Sequence, residues 1–369
     1  MTRDLELVRD VLQEALLARL GEEVDLIFQY GSLIKGNTHR YSDLDISYVP
    51  VHESTRESIT VMVDDILCDL YPLRWSRLEE MAEFRDMSGT VLQHSRIVYQ
   101  RTPGAGRRFH ALTARLLDLQ KPQARAAMLK LSHEIFQKTG YDYYLLRAQA
   151  ATGHFPACFR HGQKILHTTL HALAVCNQRS IDTRKMSEVL TLPRLPDGFA
   201  EAVERINTAA DPKALLAACE VLLETTRNLL LCEQHEACRS ETTYPDVLRA
   251  AYPELKADLQ RVLIACERQD RFLLNSKLAS FYHELAIHIT RAITGVEYSD
   301  FNSLAEYEQD FVAWGFPALF PLAAAGDFAE LHRQCLVFDQ HLRRFLTENG
   351  VALNTFASLD ELRDYLATE

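Results

Sequence analysis

The sequence predicts an α+β protein, with a small mixed sheet first and a large all-helical domain after it. Short apolar runs of strand length occur near the start of the chain, at 24–30 and 46–49. A proline and two glycines then interrupt the chain at 102–106. Beyond this point the apolar residues recur with the period of helices. The sheet is therefore expected in the N-terminal part alone.

The N-terminal part is predicted to contain both helices and strands. In order, the predicted elements are a helix over about 5–20, strands over 24–30 and 46–49, a helix after Ser54, a strand over 66–73, a helix from about Ser76 and a strand over 96–99. The helix after Ser54 rests on a capping-box pattern, which Glu57 completes three residues later.

The rest of the chain is predicted to be helical. The expected helices cover 107–120, 122–152 with a break near Gly140, 155–177, 211–234, 244–267 and 270–293. Asp211 followed by Pro212 is typical of a helix start, because aspartate caps the first turn and proline fits it. These patterns place the domain boundaries at 1–103 for the sheet domain, 107–295 for the helical domain and 296–369 for a helical C-terminal extension.

Two aspartates separated by a single residue are the most informative feature of the chain. Asp43 and Asp45 precede and enter a predicted strand, so their side chains point to the same face. Neighbouring carboxylates repel each other unless a divalent cation lies between them. Asp69, in the apolar run 66–73, would join them if its strand lies beside theirs. The acids therefore predict a site for Mg²⁺, which prefers oxygen ligands and accompanies substrate phosphates.

A Gly-Ser turn precedes the two aspartates. Gly31 and Ser32 directly follow the run 24–30 and would offer backbone N–H groups to a phosphate. Gly31-Ser32, Asp43-Leu44-Asp45 and a lone aspartate in a later strand together resemble the nucleotidyltransferase superfamily related to DNA polymerase beta. The resemblance extends to its minimal and antibiotic-modifying members and covers little over a quarter of the chain.

The resemblance implies a role for each motif residue. Asp43 and Asp45 match the ligands of two Mg²⁺ ions, and Asp69 matches the third acid near the acceptor hydroxyl. These three aspartates are thus the expected catalytic and metal-binding residues. Gly31 and Ser32 match the turn that binds the terminal phosphates of ATP, and Lys35 is placed with them as nucleotide-binding. The structural alternative is that each aspartate is a solvated residue at a strand end.

The helical part resembles the second domain of kanamycin- and lincosamide-modifying enzymes, and it also resembles the helical nucleotide-binding domains that often accompany minimal nucleotidyltransferases. The resemblance implies a substrate- or nucleotide-binding domain over 107–295, with the acceptor between sheet and helices; this placement is analogy. A transfer reaction needs a base for the hydroxyl proton and cations for the triphosphate. Glu134 is the candidate base. Candidate cations are Lys130, Lys138 and Lys164. Each of these four also fits a solvated helix position.

The composition of the chain indicates which cellular compartment and which binding partners to expect. The chain carries a formal net charge of −11, whereas proteins that bind nucleic acid usually carry a basic face. Nucleic acid is therefore an unlikely partner, and an acidic protein suits a cationic small-molecule acceptor. No apolar run is long enough for a membrane span, and the charged N-terminus is unlike a signal peptide. These features predict a cytoplasmic protein.

The cysteines support the same location. The chain has 8 of them, spread singly with no Cys-x-x-Cys pair, which argues against a zinc site. Several lie in apolar helical stretches and are predicted to be buried free thiols: Cys158, Cys176, Cys219 and Cys232.

Three functions are compatible with these observations. The first is Mg²⁺-dependent transfer of AMP from ATP to a hydroxyl of a small molecule, for example an aminoglycoside-like antibiotic. The second is the same chemistry directed at a protein, as in toxin–antitoxin systems; the large helical domain argues mildly against it. The third is a nucleotide-binding regulator without turnover, against which the retention of all three acids argues. The sequence leaves the acceptor, the nucleotide and the oligomeric state open.

Two weaker patterns occur in the helical part. His167 and His171 have the spacing of a metal pair, but structural polar contacts are favoured because no carboxylate completes a site. Arg227 and His235 are similar to a ribonuclease motif of helical toxins, but the gap between them is longer than that motif allows.

Overall fold

The computed structural model describes residues 5–36, 42–55, 57–239, 243–249, 251–295 and 311–368. The chain forms two compact units, residues 1–230 and 231–369. The predicted fold class is confirmed: a small mixed sheet lies in the N-terminal region and the remainder is mostly helical. Among the helices described, none has both the length and the apolar character needed to cross a lipid bilayer.

The N-terminal part of the first unit contains the sheet. Its elements are α1 (Leu5–Leu20), β1 (Val24–Gln29), α2 (Ser32–Lys35), β2 (Leu44–Pro50), β3 (Ile59–Val63), β4 (Ile66–Pro72), α3 (Trp75–Ala82), α4 (Thr90–Gln93) and β5 (Arg96–Gln100). The strand order is β3-β4-β2-β1-β5. The β2–β4 pair is parallel and the other pairs are antiparallel, which makes the sheet mixed.

One face of the sheet is buried against α1. Alternate residues of β2, including Leu44 and Ile46, form a core with Leu12 and Leu16 of the helix. Cys68 and Leu70 of β4 complete this core from the neighbouring strand. Because side chains alternate along a strand, the residues between these apolar positions face the opposite side of the sheet.

The predicted helix after Ser54 is wrong. Residues 59–63 form β3, which pairs with β4 as an antiparallel hairpin. Asp64 and Asp65 make the turn with positive φ angles of 49° and 63°, which aspartate tolerates better than most residues. The β-branched residues of 59–63 favour a strand, and their pairing with β4 outweighs a capping box that involves only local contacts.

The first unit continues with helices. They are α5 (Pro103–Leu119), α6 (Arg125–Gln137), α7 (Thr139–Thr152), α8 (Phe155–Cys176), α9 (Met186–Val189), α10 (Phe199–Asn207) and α11 (Pro212–Cys238), the last of which runs on into the second unit. Thr102 caps α5 by accepting a hydrogen bond from the backbone N–H of Ala105, with Pro103 in the first turn. The predicted interruption at 102–106 is thus a helix start, and α5 begins earlier than predicted. The predicted break near Gly140 falls instead at Lys138, between α6 and α7.

The second unit contains helices of its own. These are α12 (Tyr244–Leu248), α13 (Ala251–Glu267), α14 (Arg271–Thr294), α15 (Phe320–Ala325), α16 (Phe328–Glu348) and α17 (Leu359–Thr368). Aromatic residues such as Phe281, Phe311 and Phe338 form its core. The predicted boundary at 296 borders residues 296–310, which lie outside the described part of the chain, and the division into three domains stays a prediction.

The cysteines largely match expectation. Among those described, Cys158, Cys176 and Cys219 are buried free thiols. The prediction is wrong for Cys232, which is exposed. The reason is helical geometry: the buried stripe of α11 ends at Leu230, and Cys232 lies two residues further, on the other side of the helix.

Candidate functional site

Two of the predicted acids are direct neighbours in the sheet. The parallel register of β2 and β4 pairs Asp45 with Asp69. Both side chains are half-buried and lie on the face opposite α1, because the residues on either side of each belong to the α1 core. Asp43 is exposed and lies just before β2, two residues from Asp45. The strand register therefore brings all three acids to one region of one face.

The surroundings of Asp45 raise the pKa of its carboxyl group. Burial raises the pKa of its carboxyl above the usual range, and the charges of Asp43 and Asp69 raise the pKa further. Arg184 opposes them and lowers the pKa. A half-buried carboxylate facing two others is the situation in which a bound cation contributes most.

The acids by themselves do not form a complete metal site. Within the described ranges, no three His, Cys, Asp or Glu side chains are grouped closely enough to hold a metal ion. Mg²⁺ commonly takes only one or two protein carboxylates and completes its shell with water and substrate phosphates. The donors present, carboxylate oxygens on adjacent strands, fit an ion that arrives with a nucleotide and do not fit an all-protein cage.

Gly31 connects the predicted phosphate turn to the acids. It has φ of 87° and ψ of −159°, and a Cβ atom on this residue would lie 2.1 Å from Oδ2 of Asp45. Only glycine combines this backbone conformation with such a close approach. Ser32 begins α2 and Lys35 ends it, so all three predicted nucleotide-binding residues belong to one turn. Residues 37–41, between this turn and Asp43, lie outside the described part.

Lys35 faces a second group of charged residues. The pKa of His94 is lowered first by burial and then by the charge of Lys35, whereas Glu188 raises it. Lys35 of α2 and Glu188 of α9 therefore both lie near His94.

Arg184 is a site residue that the sequence analysis missed. Its guanidinium forms a bidentate ion pair with Asp182, with Nε 2.9 Å from Oδ1 and Nη2 3.2 Å from Oδ2. Its charge also acts on Asp45 and on Tyr30. The segment before α9 has no regular apolar period, and no signal in it marks an arginine that approaches aspartates far away in sequence.

Two tyrosines form the neighbouring part of the site. The hydroxyl groups of Tyr30 and Tyr71 are hydrogen-bonded to each other. The backbone N–H of Tyr30 donates to the carbonyl oxygen of Asp45 at 3.1 Å. Burial, then Tyr71 and Asp45, raise the pKa of Tyr30, which keeps its hydroxyl protonated at neutral pH. Tyr30 thus supplies a neutral hydroxyl group beside the acids.

Thr60 positions the third acid. Its hydroxyl donates a hydrogen bond to Oδ1 of Asp69 at 2.7 Å, from the position opposite Asp69 in the β3–β4 register. This contact was not predicted, because the residues after Ser54 were expected to form a helix. A strand assignment would have placed Thr60 beside Asp69, since hairpin register follows from the turn.

Glu134, the candidate base, has a different partner. Its Oε2 lies 3.5 Å from Nη1 of Arg85 on the exposed side of α6. Glu134 is not among the charges that shift the pKa of Asp45. Among the candidate cations, Lys164 pairs with Asp142 at 3.5 Å. These contacts give no support to a role for Glu134 or Lys164 beside the acids.

His171 makes a structural contact of the kind that the sequence favours. It is buried in α8, and its Nε2 donates to the carbonyl oxygen of Phe84 at 2.9 Å. Burial lowers its pKa, which keeps the imidazole neutral. The hydrogen bond fastens α8 to the segment that follows α3.

No protein-family model matches the sequence. No curated protein matches it either. A solved structure to which the chain is similar is a nucleotidyltransferase-like protein from Exiguobacterium sibiricum, with a TM-score of 0.37 and 10% sequence identity over 62% of this chain and 79% of the other. A likeness of this size carries no conclusion about function, so the function is argued from the side chains.

Proposed function

We propose that this protein is a nucleotidyltransferase that moves AMP from ATP to a hydroxyl group of a small molecule, with Mg²⁺ bound at the acids. The observation that carries the proposal is the pairing of Asp45 with Asp69 across β2 and β4, with Gly31 packed against the Asp45 carboxylate. The turn proposed to bind phosphate and the acids proposed to bind the ion therefore lie next to each other.

The charges of this region suit a metal–nucleotide complex. Asp43, Asp45 and Asp69 form a group of like charges, and burial together with repulsion from Asp43 and Asp69 raises the pKa of Asp45. A Mg²⁺ ion would relieve that repulsion and, when bound, would activate the attacking oxygen and stabilise the leaving one. Lys35 and Arg184 supply positive charge nearby for the phosphates.

Each residue has a defined task in the proposed reaction. The acceptor oxygen forms a bond to the α-phosphorus of ATP, and the bond from that phosphorus to the bridging oxygen of the β-phosphate breaks, releasing pyrophosphate. Asp69 accepts the hydroxyl proton, and the Thr60 hydroxyl holds one oxygen of its carboxylate. Asp43 and Asp45 bind the ion, while Gly31, Ser32 and Lys35 bind the terminal phosphates.

The overall charge supports a cationic acceptor. With a formal net charge of −11, the protein attracts cationic molecules and repels polyanions such as nucleic acids. An aminoglycoside-like molecule combines several ammonium groups with hydroxyl groups and therefore suits the acceptor role. Charge steers the encounter only, so the acceptor must be identified by experiment.

The test is a transfer assay with ATP labelled at the α-phosphate. The protein is incubated with Mg²⁺, the labelled ATP and, separately, aminoglycosides, lincosamides and cell-lysate protein. Label on a small molecule supports the proposal, and label on a protein supports the protein-modifying alternative. Bound nucleotide with no label transferred to any acceptor supports the regulator.

A matched pair of variants ties the activity to the site. Asp45→Asn should reduce transfer at least about a thousandfold, because it removes a carboxylate that binds the ion. Asp65→Asn, in the hairpin turn, changes the same group where asparagine tolerates the positive φ of 63° and should leave transfer unchanged. Full activity in folded Asp45→Asn protein would contradict the proposed role.

A further inference from the structure

Two exposed apolar residues lie on the same face of the sheet as the proposed catalytic acids. Ile59 of β3 and Cys68 of β4 belong to the core under α1, so the side chains at the alternate positions of each strand face the other way. Met62 and Leu67 are at such positions and stand directly opposite each other in the β3–β4 register. Their exposed fractions are 62% and 37%. This apolar pair therefore presents hydrocarbon to solvent on the face that carries Asp69.

The strand register determines how far the apolar pair lies from Asp69. Thr60 and Asp69 form the neighbouring pair on the same face, two residues away along each strand. Two residues of a strand span about 7 Å, and side chains directly opposite each other have Cβ atoms about 5 Å apart. The body of a small molecule whose hydroxyl lies at Asp69 can therefore contact the apolar pair.

The other sides of Asp69 within the sheet are occupied. Asp45 lies across the β2–β4 register, on the side of the turn that is proposed to bind the triphosphate. Thr60 lies on the opposite side and donates its hydrogen bond to Asp69. Towards the end of β4 lies Tyr71, which is partly buried and hydrogen-bonded to Tyr30. Towards the start of β4 lies the apolar pair, whose side chains are exposed. An acceptor that reaches Asp69 thus has its free space over the apolar pair.

Charge argues against a second copy of the chain as the cover of the apolar pair. β3 is an edge strand, and exposed apolar edges are the usual points at which copies of a chain pair. Antiparallel pairing of two copies about Val61 would bring Glu57 of one copy close to Asp65 of the other. Like charges opposite each other destabilise such a pair. The net charge of −11 favours a cationic occupant over a second acidic chain.

We propose that Met62 and Leu67 form the acceptor subsite, and that the acceptor carries a hydrocarbon portion next to its reacting hydroxyl. This inference rests on the nucleotidyltransferase function proposed above and narrows its acceptor class to cationic, hydroxylated amphiphiles. The hydroxyl lies at Asp69, the hydrocarbon portion covers the apolar pair, and the nucleotide lies on the side of Asp45. A molecule that is polar on all sides leaves the apolar pair exposed to water and binds less tightly.

The test compares two probes that differ only in hydrocarbon. N-methyl-D-glucamine and N-octyl-D-glucamine share the same ammonium and hydroxyl groups, and only the second carries a long alkyl chain. Isothermal calorimetry measures both in the presence of Mg²⁺ and α,β-methylene-ATP, which resists transfer, at concentrations below micelle formation. Wild-type protein should bind the octyl probe at least about tenfold more tightly, because each buried CH₂ group raises affinity about fourfold.

Three variants locate this preference on the sheet. Met62→Thr combined with Leu67→Thr removes the apolar pair, keeps good strand propensity at position 62 and should reduce the preference to less than about threefold. Met62→Gln alone changes the more exposed residue and should lower the preference about threefold. Val61→Thr combined with Val63→Thr is the matched control on the opposite face of β3, where both valines are also exposed, and should leave the preference unchanged. Circular dichroism and thermal unfolding verify that each variant retains the fold.

The outcomes separate this inference from the proposed function. An octyl preference that is lost in the variants of the apolar pair and kept in the valine variant supports the inference. Equal binding of the two probes, absence of binding, or a preference that survives in the variants of the apolar pair overturns it. Transfer of label from ATP to a small molecule would then leave the proposed function standing.

Two further results would also overturn the inference. A dimer, detected by light scattering and dissociated by both double variants, would assign the hairpin of β3 and β4 to contacts with a second copy. If no acceptor of any kind receives label from ATP, the proposed function fails, and the apolar pair loses its assignment as an acceptor subsite with it.

Discussion

Gly31 lies so close to Asp45 that any side chain at position 31 would meet the carboxylate, with only 2.1 Å between a Cβ atom and Oδ2. Asp45, a proposed metal ligand, can therefore occupy its position only because residue 31 has no Cβ atom. The Gly-Ser motif therefore has two roles in this protein: it shapes a turn, and it leaves room for Asp45.

Gly31→Ala should abolish nucleotide binding, because the methyl group displaces Asp45 and the φ of 87° becomes strained. The strain should also lower the free energy of unfolding by about 1–3 kcal/mol. Gly36→Ala is the control: its φ is 71°, but among the described residues no atom other than those of its chain neighbours lies within 4 Å of a Cβ there. It should lose similar stability and retain nucleotide binding, as measured by urea unfolding and calorimetry. Equal loss of binding in both variants would show that strain alone is responsible.

Thr60→Val should lower the rate of transfer roughly tenfold or more with little change in nucleotide affinity. The substitution keeps the shape and the β-branched character but removes the hydroxyl that donates to Asp69. Steady-state kinetics should therefore show a lower kcat and an unchanged KM for ATP. Thr60→Ser retains a hydroxyl and should recover most of the rate; a rate as low as that of the valine variant would exclude an orienting role.

Tyr71→Phe should destabilise the protein by about 0.5–1.5 kcal/mol, because it removes the hydrogen bond between the hydroxyl groups of Tyr71 and Tyr30. Tyr30→Phe should have a comparable effect. The double variant should lose less than the sum of the two single variants, since the shared hydrogen bond is removed only once. Urea unfolding of the four proteins gives the coupling energy, and strict additivity would show that the hydroxyl groups do not interact.

The stability of the protein should decrease as the pH falls below about 6.5, the unperturbed pKa of histidine. Burial lowers the pKa of His133 and of His171, so the unfolded chain binds protons that the folded protein does not. This histidine contribution is fully present above the unfolded pKa and is lost as the pH drops towards the lowered folded values. Urea unfolding at pH 7.5 and pH 5.5 measures the decrease.

His171→Gln tests the source of that pH dependence. Glutamine can still donate to the carbonyl oxygen of Phe84 but does not titrate, so the stability loss between the two pH values should become smaller. His110→Gln, at an exposed position, controls for the substitution itself. A decrease of unchanged size in His171→Gln would assign the pH dependence to other groups.

Local patterns predicted most of the fold. The apolar runs at 24–30, 46–49 and 66–73 identified β1, β2 and β4, because burial in a sheet requires such runs. The strand β3 was missed, since most of its side chains are exposed and its pairing with β4 is a tertiary effect. The predicted domain boundary near 103 rested on the proline and glycine residues of 102–106. In the structure, these residues form the start of α5.

The candidate site was predictable where its residues share one motif. Gly31, Asp43 and Asp45 are close in sequence, and Asp69 lies in a strand that could be identified. Arg184 comes from a segment without a regular period, and its proximity to Asp45 depends on how helices pack against the sheet. No spacing rule connects residues so far apart in the chain, so this part of the site requires a structure.

The place of β4 within the sheet determines how the acids respond to thermal fluctuations. β4 has hydrogen-bonded neighbours on both sides, whereas β3 forms the edge. Opening of the sheet by fraying begins at an edge, so β3 can detach while the ladder between β2 and β4 persists. Asp45 and Asp69 would then stay paired, and only the hydrogen bond from Thr60 to Asp69 would break. Slow amide hydrogen exchange in β2 and β4, with faster exchange in β3, is the expected signature.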